Sequence, residues 1–554
     1  MNSIRWYRYF NQWGRELRWV VVVWLLWGTM LGRTAPILTP DLDQTVDRKV
    51  IQFDHYDFTI MTQRQQGHLD VRAVAEVEVV SDRVHQIQFL LTNLYQIRIR
   101  SITVDGRELE YRHIGDVVQV DLPFSCFRGK RLTLTVDYRM ERVTVSPDVL
   151  AELRGNWYPK NILPEPARAV FKLDVPDSYI GVANGRPVKV AREEGRRVFY
   201  WEVQNPATSF GVTVGTYHQR TETVLGRPLH LYFLPGIDPE VLRKTVRWSE
   251  QIFQVYLDEF GGTMPDTFTV VINDTPLGES AFGSLIYLHY RASEPSGSNM
   301  DDKALFEALA HEIAHYWWGN LIVPKSVYDW WLVEGFATYA ATVAGWRMAP
   351  KEDAVQKENR DRQKWRERYV QTVTKLEQYR FSELSLAEIS PFDIQRELLY
   401  SKGPFVLAML REQLGADEMQ RYIKQFVHRY AGCSVGVRDF TRLGGELYGI
   451  GILNFFRQWV YSTGNYNVRL ERVTVRPTAG GYQVTAVVKN DGQLSLPDRV
   501  RVEIITDRQV YSELLQFKGV NVTIQKTLPV KPLKIMLNPQ DEILEINHQD
   551  NLWN

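Results

Sequence analysis

Two histidines four residues apart constrain this chain more than any other feature. The stretch Ala308 to Asn320 reads A-L-A-H-E-I-A-H-Y-W-W-G-N and contains H-E-x-x-H, with His311, Glu312 and His315. Apolar residues recur at helical spacing through Leu305, Leu309, Ile313 and Trp317, and Asp301 and Asp302 stand where a helix takes its N-cap. On a helix, His311 and His315 point the same way, one turn apart. Imidazoles so placed bind one zinc ion, and Glu312 projects toward the same site, where it polarises a water. Nineteen residues past His315 stands Glu334, in W-W-L-V-E-G-F-A, at the head of an alanine-rich helical run from Phe336 to Ala344. It is the expected third ligand. Two histidines and a glutamate leave one position open, which is the pattern of a catalytic rather than a structural zinc site.

H-E-x-x-H, eighteen residues, then a glutamate inside W-L-x-E-G-F-A resembles the M1 family of zinc metallopeptidases, the aminopeptidase N and leukotriene A4 hydrolase group. The likeness is strongest from about Phe268 to Leu410. It implies a thermolysin-like catalytic domain, an N-terminal β-saddle and hydrolysis of peptide bonds, most often release of N-terminal residues. The segment Tyr400-Ser-Lys402-Gly403 resembles the family's Y-x-K-G, whose tyrosine stabilises the tetrahedral intermediate. A phenol beside the metal can donate to a developing oxyanion.

One departure from the family touches substrate choice. Its aminopeptidases carry G-A-M-E-N, whose glutamate grips the free amine. Here the segment reads Gly278-Glu279-Ser280-Ala281-Phe282-Gly283-Ser284-Leu285. Aligned by Leu285-Ile286-Tyr287, the glutamate position falls on or near Ala281. Glu279, Ala281 and Gly283 are therefore the substrate-binding candidates, with Glu279 either a displaced amine anchor or a solvated loop charge. A buried ammonium without an anionic partner is poorly compensated. Hydrolysis without a free-amine requirement, as by an endopeptidase, stays open beside the aminopeptidase reading. A non-catalytic binding scaffold is a third alternative, against which stands the intact zinc and general-base set. Glu307 and Asp329, close in sequence to the ligands, are candidates to orient them.

The flanks suggest an α+β multidomain protein. Residues 1–18 hold Arg5, Arg8, Arg15 and Arg18 against Glu16, and the uncharged run from Trp19 to Gly32 follows. That order reads as a secretory signal or signal-anchor. The run is shorter than the roughly 20 residues of a membrane span, while no small-x-small cleavage site follows it. Export or N-terminal membrane anchoring is expected. A linker spans about 36 to 48. Alternation through Leu69, Val71, Ala73, Ala75, Val77 and Val79 then marks an antiparallel β-domain. Helical periodicity starts near Pro239. A charged helix covers 351–380, and strands return at Val468, enough for a small β-sandwich. The expected division is 1–35 signal or anchor, 36–225 N-terminal β-domain, 226–464 catalytic domain and 465–554 β-sandwich, with no helical-repeat domain after it. Equal counts of 66 basic and 66 acidic residues argue against a nucleic-acid partner. With two cysteines, Cys126 and Cys433, a disulfide framework is absent, and a single bridge between them is the one pairing left open.

Overall fold

The computed structural model describes residues 49–554 except 63–66, 93–94, 276, 291–301, 493–499 and 517–520. The basic and apolar segment 1–35, the linker and Asp301 lie outside the described residues. Among the described residues, no helix is long and apolar enough to cross a membrane. The chain divides into two compact units. The first comprises Met1–Arg247 and Pro265–Leu305, the second Trp248–Met264 and Phe306–Asn554.

In the first unit, alternation builds the main sheet. Strand β1 (Ile51–Thr62) pairs antiparallel with β2 (Leu69–Val79), whose buried face is Leu69, Val71, Ala73, Ala75, Val77 and Val79. Six further strands complete an eight-stranded sheet. It is mixed rather than purely antiparallel, because β1 also pairs parallel with β3 (Ala167–Pro176), in the register Phe58↔Phe171. Parallel neighbours need a long crossover, and here the whole chain between Thr62 and Ala167 provides it. Beneath the sheet lies an aromatic core. The Phe58 ring centroid lies 5.1 Å from that of Trp157 and 5.0 Å from that of Phe171. The polar atoms of this core are paired: Trp157 Nε1 donates to Phe210 O at 2.8 Å, and Tyr56 donates to Pro159 O at 2.9 Å. Large rings with satisfied polar ends account for the Trp157-Tyr158-Pro159 segment.

Beside two three-stranded sheets, a five-stranded sheet completes the first unit. Its central strand, β4 (Phe268–Asn273), is buried at every residue and runs parallel to both neighbours, which explains its unbroken apolar sequence. One neighbour is β6 (Leu285–His289). Beyond it lies the edge strand β5 (Ser280–Phe282), antiparallel to β6 with Ala281 opposite Ile286. Arg154 braces the segment before β5, donating to Leu277 O at 3.0 Å, Gly278 O at 2.9 Å and Ser280 Oγ at 2.8 Å. Its charge is matched by the fully buried Glu152.

The second unit is helical, then β. Helix α1 (Pro239–Phe260) contributes its residues from Trp248 onward, and α2 (Asp302–Ala314) its residues from Phe306 onward. There follow α3 (Phe336–Met348), α4 (Lys351–Gln378), α5 (Glu397–Leu414), α6 (Ala416–Tyr430), α7 (Val437–Tyr448) and α8 (Ile450–Trp459). Along α4 the stripe Trp365, Tyr369, Val373 and Leu376 is buried, as the period of 3.6 requires. The chain ends in a three-stranded and a four-stranded sheet between Val468 and Trp553. A strand opens at Arg227 and α8 closes at Trp459. Cys126 is buried and Cys433 exposed, and both are free thiols.

Candidate metal centre

Helix α2 is fixed by its apolar side. Leu305, Leu309 and Ile313 are buried, and Tyr256 on α1 donates to Ala310 O at 2.8 Å. The regular helix stops at Ala314, one residue short of His315. The last turn tightens, with Tyr316 N bonded to Ile313 O and Trp317 N to Ala314 O. Gly319 then turns the chain with φ +119°, where a side chain would be strained. His315 keeps its helical direction while the carbonyl of Trp318 swings onto it, 3.1 Å from Nδ1. That carbonyl can only accept, so Nδ1 carries the hydrogen and Nε2 presents its lone pair. The burial of Trp317 and Trp318 holds this turn in place.

A single π-helical turn, Trp331–Gly335, delivers Glu334. Such turns re-aim a side chain relative to the helix they enter. Buried Trp331 and Phe336 anchor the turn on either side. Gly335 lies against Gly403 of α5, and the indole of Trp331 donates to Gly403 O at 3.3 Å. The approach of these two glycines sets Tyr400, in the first turn of α5, beside Glu334.

The result is a convergence of three donor atoms. His311 Nε2 and His315 Nε2 are 3.1 Å apart, and Glu334 Oε2 lies 3.4 Å from the first and 3.5 Å from the second. Ligand atoms about 2.0–2.1 Å from a tetrahedral zinc ion stand roughly 3.3 Å from one another, so the cluster has the dimensions of a zinc site. Glu334 Oε2 is buried without a hydrogen-bond partner, as a ligand atom facing a cation would be. Among the described residues this is the one group of three histidine, cysteine or carboxylate side chains close enough to share a metal.

Around the cluster, burial and charge set protonation. Burial opposes ionisation of Glu334, but the neighbouring His315 and His311 and a hydrogen bond from Tyr400 outweigh it and hold the carboxyl down at about 2. The Tyr400 hydroxyl is pushed well above its usual range, first by burial and then by the charge of Glu334. It therefore remains a proton donor. Glu312 is 7% exposed and adds to the negative field on Tyr400. The Tyr400 ring lies 6.2 Å from that of His311.

His311, His315, Glu334 and Tyr400 thus come together in the second unit. Glu279, Ala281 and Gly283 belong to the first. Ala281 is the central residue of edge strand β5, Glu279 is half-buried just before it, and Gly283 forms the following turn with φ +56°. Of the candidate orienting residues, Glu307 pairs with Lys364 at 3.2 Å, and Asp329 accepts from Ser326 Oγ at 2.6 Å and Val437 N at 2.7 Å. The Trp318 carbonyl, which no pattern of carboxylates reveals, meets His315. A buried ion pair also escaped notice, between Lys402 and Glu383 at 2.7 Å, with Tyr369 donating to the same carboxylate.

Residues 264–459 match the peptidase family M1 domain. That span holds every residue of this cluster. A relative, the leucyl aminopeptidase of Saccharolobus solfataricus, is 21% identical over 460 residues, covering 76% of this chain and 55% of its own length. The probable aminopeptidase 1 of Sulfurisphaera tokodaii is 20% identical, covering 66% of this chain and 48% of its own. The chain thus spans about half the length of these curated relatives. Among solved structures, an M1 zinc metallopeptidase from Deinococcus radiodurans matches with TM-score 0.60 and 20% identity, over 74% of this chain and 94% of that one. Legionella pneumophila aminopeptidase A matches with TM-score 0.72 and 14% identity, over 90% and 59%. Both share their fold with this chain over the matched residues.

Proposed function

We propose that this chain is a zinc-dependent peptidase that releases N-terminal residues from peptides. The observation that carries the reading is the convergence of His311, His315 and Glu334 on one point, with Tyr400 hydrogen-bonded to Glu334. The aminopeptidase names of the relatives support the substrate class.

His311, His315 and Glu334 would hold zinc, which when bound supplies Lewis acidity for a peptide carbonyl and for water. Glu312 takes a proton from the attacking water and delivers it to the leaving amine. Tyr400, kept protonated, donates to the oxygen on which charge develops. The Trp318 carbonyl fixes the His315 tautomer, so that its ring needs no rearrangement during turnover.

A second reading has one observation behind it. In the sequence, Ala281 stands at or near the position of the family's amine-binding glutamate, so the enzyme would accept peptides without a free N-terminus. Hydrolysis of a free and an N-acetylated peptide of the same sequence separates the two. Cleavage of the free peptide alone supports the aminopeptidase. Equal cleavage of both supports the wider hydrolase, and cleavage of neither by zinc-loaded protein refutes both.

We also propose that the protein is exported or held to a membrane by its N-terminus. The support is the order of basic residues and apolar run in residues 1–32. Fractionation of cells expressing the full chain tests this, and recovery solely from the cytosol would overturn it.

A further inference from the structure

Within the second unit, Arg368 of α4 extends over the ring of Tyr400, with its guanidinium carbon 5.9 Å from the ring centroid. Its Nη2 and Nε both donate to one oxygen of Glu397, Oε2, at 2.6 and 3.1 Å. That leaves Nη1 unused among the described contacts. The pair is open to water, with side-chain exposures of 48% for Arg368 and 36% for Glu397. Exposed pairs of this kind contribute little to stability, and the guanidinium fork is shaped for a second carboxylate. The other charged neighbours that act on Tyr400 are acidic, namely Glu334, Glu312 and Glu397. Nearby Lys402 is buried and committed to Glu383.

We propose that Arg368 is a specificity-determining residue that binds a carboxylate on the leaving-group side of the substrate, so that the enzyme favours short peptides ending there. The inference rests on the peptidase reading above. Distances set the peptide length. Arg368 reaches His311 through the Tyr400 ring, across 5.9 Å and 6.2 Å, and these two distances bound the separation of guanidinium and imidazole. An extended chain advances about 3.4 Å per residue, so the carboxylate falls no more than about three residues beyond the scissile bond. A C-terminal carboxylate there takes Nη1 while Glu397 holds the other edge of the guanidinium.

The test compares kcat/KM of the zinc-loaded full chain on four peptides with free N-termini. These are Leu-Gly-Gly and Leu-Gly-Gly-Gly as free acids, Leu-Gly-Gly-amide, and Leu-Gly-Asp-amide. The expected result is that the free acids exceed the neutral amide by about tenfold, the size of one charge-assisted contact. In Arg368→Ala this acid-to-amide ratio drops toward one, and in Arg368→Lys it is intermediate. A ratio is insensitive to any general loss from disturbing Tyr400. Preference for the free acids alone assigns the carboxylate to the chain terminus, and preference extended to Leu-Gly-Asp-amide admits an acidic side chain as well. A wild-type ratio near one, or a ratio unchanged in Arg368→Ala, overturns the inference while leaving the peptidase reading intact. Failure to cleave any of the four overturns both.

Discussion

A β-carbon on Gly403 would stand 3.1 Å from the Cα of Gly335 and 3.0 Å from the indole of Trp331. The turn that carries Glu334 and the helix that carries Tyr400 therefore cross backbone to backbone. The hydrogen bond between Glu334 and Tyr400 exists because neither chain holds the other away. Both glycines are fully packed, and neither has room for a methyl group without displacing its neighbour.

Gly403→Ala is accordingly expected to destabilise the protein by about 1–3 kcal/mol, the usual cost of overpacking a filled core. Urea denaturation measures it. Gly480→Ala, where a β-carbon meets open space, serves as the control and should change stability by less than about 0.5 kcal/mol. Equal losses in the two variants would refute the close-packing account.

How much of this was legible beforehand follows from the range of each contact. His311 and His315 were readable because four residues on a helix fix a direction locally, and Glu334 and Tyr400 because of the words around them. The Trp318 carbonyl was not, since it depends on where the helix stops and how Gly319 turns the chain. Glu383 is far from Lys402 in sequence and lies in an irregular segment, so no periodicity joins them. The parallel pairing of Phe58 with Phe171 is non-local, and alternation alone does not state a strand's neighbour. Position 281 was readable as a departure, because a residue missing from a motif is visible where a contact is not.

Removal of the metal should lower thermal stability. A ligand that binds the folded chain at one hundred times its dissociation constant stabilises it by about 2.7 kcal/mol. A chelator is expected to lower the melting temperature, and added zinc to restore it. In Glu334→Ala, zinc content by elemental analysis should fall well below one per chain, and the chelator should shift the melting temperature little. Full zinc occupancy in that variant would remove Glu334 from the ligand set.

Glu312→Gln keeps the size and loses the base. Its kcat should fall by about 10²–10⁴-fold, the range for a general acid–base group, while zinc stays at one per chain. Loss of zinc together with activity would make Glu312 structural.

Tyr400→Phe removes one hydroxyl. As an oxyanion donor that hydroxyl acts in the transition state alone, so kcat and kcat/KM should fall together by about 10²–10³-fold, with KM little changed. The raised pKa of Tyr400 means that wild-type activity should show no loss from its ionisation across neutral pH. A variant that raises KM at constant kcat would make Tyr400 a substrate-binding group.

The remaining question is what meets the substrate's amine, and strand β5 offers a direct test. Side chains one apart on an extended strand point to opposite faces, so Ala281 faces away from Ser280, whose hydroxyl meets Arg154, and Glu279 directly precedes this strand. Arg154 bonds the Gly278 carbonyl before Glu279 and the Ser280 hydroxyl after it, and its own charge is matched by Glu152. If Glu279 anchors the amine, Glu279→Gln should lower the ratio of free to acetylated peptide cleavage, mainly through KM for the free peptide. If no acid serves, Glu279→Gln should leave the ratio unaltered, and Ala281→Glu should raise it by about tenfold through a new charge pair. An unchanged ratio in both variants would mean that β5 does not read the amine, and that the likeness to the family's G-A-M-E-N segment stops at the backbone.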